Sequence, residues 1–101
     1  MSAAAYAEKK AIRTPLLRVR CETSGGGREC RIMDLTSSGA FIESFVPEVT
    51  GTRVGVQFQL PNGHIVCTAG IVQYHQFRVG FGVEFTDISS KDRSQIGSFL
   101  A

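Results

Sequence analysis

The stretch Asp34-Leu-Thr-Ser-Ser-Gly39 packs one carboxylate, three hydroxyls and a glycine into a single corner. Asp, Thr and Ser side chains bond to nearby backbone and hold turns. Glycine allows a positive φ or the close approach of another group to the backbone. Upstream, Lys9, Lys10 and Arg13 place cations within one short span. Cations suit an anionic ligand, and a carboxylate suits a ligand that donates hydrogen bonds. A ligand with both features could use both stretches. With no ligand, the corner would be a capped turn and the cations a solvated tail.

The elements that must position these residues read as strands. Residues 16–23 alternate, with Leu17, Val19 and Cys21 on one face and Arg18, Arg20 and Glu22 on the other. Ser24-Gly-Gly-Gly27 reads as a hairpin loop flanked by Thr23 and Arg28, which makes Cys21 and Cys30 cross-strand neighbours. Residues 28–35 form the next strand, with Cys30 and Ile32 inward and Ile32 and Asp34 on one side. Residues 40–44 form a third. Pro47 and Gly51 break the connection that follows. The clearest strand covers 52–60, where Val54, Val56, Phe58 and Leu60 alternate with Arg53, Gly55, Gln57 and Gln59. Pro61-Asn-Gly63 is a turn. Residues 64–74 give a long strand with a bend at Gly70, and 79–85 give the last. There Gly80 and Gly82 share the face opposite Phe81 and Val83, leaving room for something to pack across them. Ser89 then caps a helix, Asp92 completes a box-like start, and Ile96, Phe99 and Leu100 make one apolar stripe.

Composition narrows the function classes. The chain has 101 residues, 43% hydrophobic and 20% charged, which fits one globular domain. It has no apolar run long enough to span a membrane. Its first residues do not read as a secretory signal, so a cytoplasmic location is expected. The three cysteines include no C-x-x-C pair, and Cys21 and Cys30 are expected as reduced thiols in the core. His64 and His75 each stand alone beside a turn, where solvent exposure is expected. No metal-ligand cluster or nucleophile elbow surrounds them. Gly80-Phe-Gly82 lies inside a strand and opens no helix, so it is no dinucleotide fingerprint. These patterns point away from an enzyme. The first twenty residues carry five cations against Glu8 alone, net +4, within a chain of net +2. A basic arm on a near-neutral body suits a small anionic partner. General nucleic-acid binding needs a broader basic groove and exposed aromatics.

Asp34-Leu-Thr-Ser-Ser-Gly39 resembles the D/N-x-S-x-x-G motif of PilZ domains, small β-barrel receptors for cyclic di-GMP. Lys9-Lys-Ala-Ile-Arg13 matches the span of that family's R-x-x-x-R motif. Gly80-Phe-Gly-Val-Glu-Phe-Thr-Asp-Ile-Ser89 looks like its last strand. The resemblance covers residues 9–100. It implies an all-β fold, a six-stranded antiparallel PilZ-like β-barrel with a short C-terminal α-helix. A flexible basic arm would occupy residues 1–14 and the barrel 15–101. It also implies a bacterial, cytoplasmic cyclic di-GMP receptor or adaptor acting in motility or biofilm regulation. The signal would pass on by protein contact, from a monomer or weak homodimer with no nucleic-acid or membrane partner and no cofactor or metal.

The resemblance assigns ligand contact to Arg13, Asp34, Thr36 and Gly39, with Lys9, Lys10 and Ser37 beside them. Arg suits phosphate and guanine because its fork bonds in bidentate fashion and its plane stacks on a base. Asp34 would accept from guanine N–H groups. Two positions depart from the family pattern. Thr36 replaces serine and keeps the hydroxyl. Lys9 replaces the first arginine and loses the fork and the stacking plane. One lost charge-assisted hydrogen bond is worth roughly 1.5–3 kcal/mol, a roughly ten- to hundred-fold loss of affinity. The alternative is a degenerate PilZ-like protein-interaction module that does not bind the nucleotide.

Overall fold

Apolar side chains at every second position give six strands, and their inward rows meet in one core. The computed structural model describes residues 12–101, with side chains from Leu17 onward. The strands are β1 (Ile12–Thr23), β2 (Gly26–Leu35), β3 (Gly39–Glu43), β4 (Arg53–Gln59), β5 (Ile65–Gln76) and β6 (Gly80–Phe85), followed by helix α1 (Ser90–Leu100). Each strand pairs antiparallel with both neighbours in the closed order β1-β2-β3-β6-β5-β4. The fold is the expected six-stranded barrel with one short C-terminal helix. Val54, Val56, Phe58, Val83 and Phe85 are each at most 7% exposed, as their alternation requires.

The first hairpin is tighter than the glycine run suggests. Thr23 pairs with Gly26, so the turn is Ser24-Gly25 alone and β2 starts two residues earlier than expected. Gly26 takes φ +120°, and the Thr23 hydroxyl accepts from the Gly25 N–H at 3.2 Å. A two-residue shift preserves the pleat but changes the partners. Arg28 faces Cys21, and Cys30 faces Val19. Cys21 and Cys30 are therefore diagonal rather than directly opposed. Both are free thiols, as is Cys67.

A second correction falls in β2. Ile32 pairs with Ile42, but Asp34 pairs with Phe41, so β2 carries one extra residue there. This bulge puts Ile32 and Leu35 in the core, both at 0% exposure, and sends Asp34 to the opposite face. Ile32 and Asp34 do not share a side. The extra residue, Met33, resets the pleat between them.

Ser89 caps α1, its hydroxyl accepting from the Asp92 N–H at 3.0 Å. The Asp92 carboxylate does not close a capping box. It meets His64 Nε2 at 2.7 Å, from the turn between β4 and β5. His64 is accordingly not a solvent histidine: its side chain is 19% exposed. Asn62 Nδ2 adds a bond to Gln95 Oε1 at 2.8 Å, so this turn holds the helix by two polar contacts. Ile96 is fully buried beneath them, with Phe99 and Leu100 packed against the same core. His75, also expected in solvent, is half-buried on β5 opposite Phe81.

Candidate functional site

The β2–β3 corner is built around Thr36. Its hydroxyl accepts from the Gly39 N–H at 3.0 Å and the Ser38 N–H at 3.2 Å, and it is 2% exposed. Its backbone N–H donates to the Gly39 carbonyl at 2.9 Å. This is a hydroxyl-held turn of the kind that Ser and Thr favour. The side chain is spent on the corner, so its task is to position its neighbours. Gly39 follows because a Cβ there would collide with the Val83 backbone oxygen on β6. The Phe85 N–H reaches back to the Ser38 carbonyl at 2.8 Å and ties the corner to the last strand. Ser37 and Ser38 are half-buried at its surface.

Thr36→Val keeps the shape and removes the acceptor from two N–H groups in a buried turn. Each unsatisfied buried group costs about 1–3 kcal/mol. At about 4–8 °C per kcal/mol for a domain of this size, the melting midpoint should fall by at least roughly 10 °C. Thr36→Ser should recover most of that loss. Circular dichroism melts check both, and a Thr36→Val midpoint equal to wild type would show that the hydroxyl does not hold the corner.

Asp34 stands beside this turn in a row that crosses the barrel wall. The register runs Arg13 on β1, Asp34 on β2, Phe41 on β3, Gly82 on β6 and Tyr74 on β5. Phe41 lies between core residues Ala40 and Ile42 and so points outward, yet it is only 7% exposed. The Tyr74 ring covers it, with centroids 5.9 Å apart and planes 25° from parallel. Gly82 makes this possible, because a Cβ there would run into the Tyr74 ring. Tyr74 has its phenol pKa raised, first by burial and then by the negative charge of Asp34. The carboxylate and the aromatic pair therefore belong to one environment on the outer wall.

Of the residues expected from sequence, Asp34, Thr36, Ser37 and Gly39 come together at this corner, and Arg13 takes the register position opposite Asp34. Lys9 and Lys10 lie outside the described residues. Phe41 and Tyr74 were not among the expected site residues. The available signal was the pair Gly80 and Gly82, which leaves bare backbone on one face of β6. Two aromatics fill that space. In chemical terms the wall offers an acceptor for planar N–H donors, an arginine position for an anion and an aromatic surface for a flat ring.

The PilZ domain family model matches residues 10–101 of this chain. No curated protein sequence matches it. Among solved structures, the PlzA protein of Borreliella burgdorferi in complex with c-di-GMP superposes with a TM-score of 0.67 at 16% identity. The match covers 83% of this chain and 32% of PlzA, so the chain spans about a third of that protein's length.

Proposed function

Because this chain belongs to the PilZ domain family, we propose that it is a receptor for cyclic di-GMP that binds on the outer wall beside the β2–β3 corner. The observation that carries this reading is the row from Arg13 through Asp34 and Phe41 to Tyr74. Cyclic di-GMP presents two phosphates and two guanines. Arg13, with Lys9 and Lys10 from the arm, takes phosphate and stacks on a base. Asp34 accepts from guanine N1–H and N2–H. Ser37 and the backbone near Gly39 complete the contacts, while Thr36 keeps the corner in shape. Tyr74, backed by Phe41, offers a face for the second guanine. The c-di-GMP held by the PlzA protein supports the choice of ligand.

In this reading residues 1–14 act as the arm and residues 15–101 as the barrel, the arm's last three residues being the start of β1. The nucleotide ties the arm to the Asp34 corner, and a protein partner reads the result in the cytoplasm. Phe45, Val46, Phe77 and Val79 support the protein-contact step. They are exposed, and the Ser44 N–H bond to the Val79 carbonyl at 3.1 Å draws their loops together. Clustered exposed apolar residues are what protein contacts bury.

The test is isothermal titration with cyclic di-GMP. The wild type should bind with a saturable heat, and Tyr74→Ala should lose roughly 1–3 kcal/mol, the usual worth of stacking one base. Flat titrations for both the wild type and Lys9→Arg would end the receptor reading. Equal affinity for Tyr74→Ala would remove the aromatic face from it.

A further inference from the structure

Away from the Asp34 corner, β2 carries a second group of reactive side chains, and its chemistry is independent of nucleotide binding. The hairpin register sets Arg28 opposite Cys21, with Cys30 one step along the same face of β2. An open cavity of about 600 Å³ lies against this face, lined in part by Arg28, Cys30, Arg31, Ser44, Phe45 and Val46. Cys30 is half-buried at the cavity wall, where a small reagent reaches it. Cys21 sits behind it, 1% exposed. The Arg28 guanidinium is held in place by the Glu48 carboxylate.

This arrangement divides the two thiols by role. Hydrogen bonding with Cys21 is the largest influence on Cys30. Burial opposes it, and the charge of Arg28 with donors from Arg28 and Ser44 adds to it, so that the Cys30 pKa is lowered to about 6. Cys21 moves the other way, raised by its bond to Cys30 and by burial. Of the two, the outer sulfur is pushed toward the thiolate and the inner one toward keeping its proton. A thiolate beside a cation in an accessible pocket is the form that oxidants attack.

We propose that Cys30 is a peroxide-reactive thiol and that Cys21 is its resolving partner, the two closing a reversible disulfide between β1 and β2. The Cys30 thiolate attacks one oxygen of hydrogen peroxide. The O–O bond breaks, a sulfenic acid forms on Cys30 and hydroxide leaves. The Cys21 sulfur then attacks the sulfenyl sulfur. The S–S bond forms, the S–O bond breaks, and the departing hydroxide takes the Cys21 proton as water. Two electrons pass from the thiols to one peroxide. Diagonal cross-strand positions lie beyond the Cα spacing of an unstrained disulfide, so β1 and β2 must shift locally to close the bridge, and thiol reductants reopen it.

The experiment treats the full-length reduced protein with stoichiometric hydrogen peroxide, traps with dimedone and maps the products by mass spectrometry. The expected result is a Cys21–Cys30 disulfide, reversed by dithiothreitol. Cys21→Ala should instead accumulate dimedone on Cys30, and Cys30→Ser should leave Cys21 unmodified. The exposed Cys67 is the internal reference, and Cys30 should react at least roughly tenfold faster than it. That advantage should vanish in urea, because it depends on Arg28 and Cys21 being folded around the sulfur. The proposal is overturned if Cys67 oxidises first, or if Cys30 reacts no faster in the native protein than in the unfolded chain. The wild-type comparison stands even if a variant fails to fold.

Discussion

Arg13→Ala should bring the binding of cyclic di-GMP below detection by titration calorimetry. Arg13 holds the register position opposite Asp34, at the start of the row that ends on Tyr74. Its guanidinium can make two parallel bonds to a phosphate or a guanine edge, and alanine makes neither. Two charge-assisted bonds at roughly 1.5–3 kcal/mol each amount to at least a hundred-fold, and lost stacking adds to that. Asp34→Ala should weaken binding by a smaller amount, about 1–3 kcal/mol, by leaving guanine donors unpaired in the complex. Asp34 does not belong to the core cluster, so the Asp34→Ala chain should still fold as the same barrel without ligand. An Arg13→Ala protein that binds as tightly as wild type would take the arm out of the site.

Lys9→Arg should act in the opposite direction. The lysine supplies a point charge where the family motif has a planar fork. Restoring the fork should tighten binding by roughly ten- to a hundred-fold, the worth of one charge-assisted bond. The same titration reads it. If the wild type is silent and Lys9→Arg binds, the site is intact in shape and the lysine has switched it off. If both are silent, the corner is a turn and the interaction-module reading takes over.

The strands were legible because burial alternates with the pleat, and β4 shows it without interruption. What sequence hid were single-residue decisions. Three successive glycines leave several positions able to take a positive φ, and only the pairing of Thr23 with Gly26 selects among them. Met33 looks like any other strand residue, yet it is the one that lets Ile32 face the core and Asp34 face out. The Asp34–Gly39 corner was readable because its hydrogen bonds are local in sequence. The contact of His64 with Asp92 spans 28 residues, and the stacking of Phe41 on Tyr74 spans three strands. No periodicity records such contacts.

The strand order has a consequence for how the chain is made. β1-β2-β3 and β4-β5-β6 are each a simple meander of consecutive neighbours. They join along two seams, β1 with β4 and β3 with β6. Until both seams close, each half carries two unsatisfied edges that would pair with any other strand. During synthesis the first half leaves the ribosome complete but unpartnered, and it must wait for residue Phe85 before its β3 edge is covered. Seam closure joins residues about forty positions apart, which makes it the slow step by topology. A chain cut in the loop between β3 and β4 would yield two adhesive sheets rather than a smaller domain.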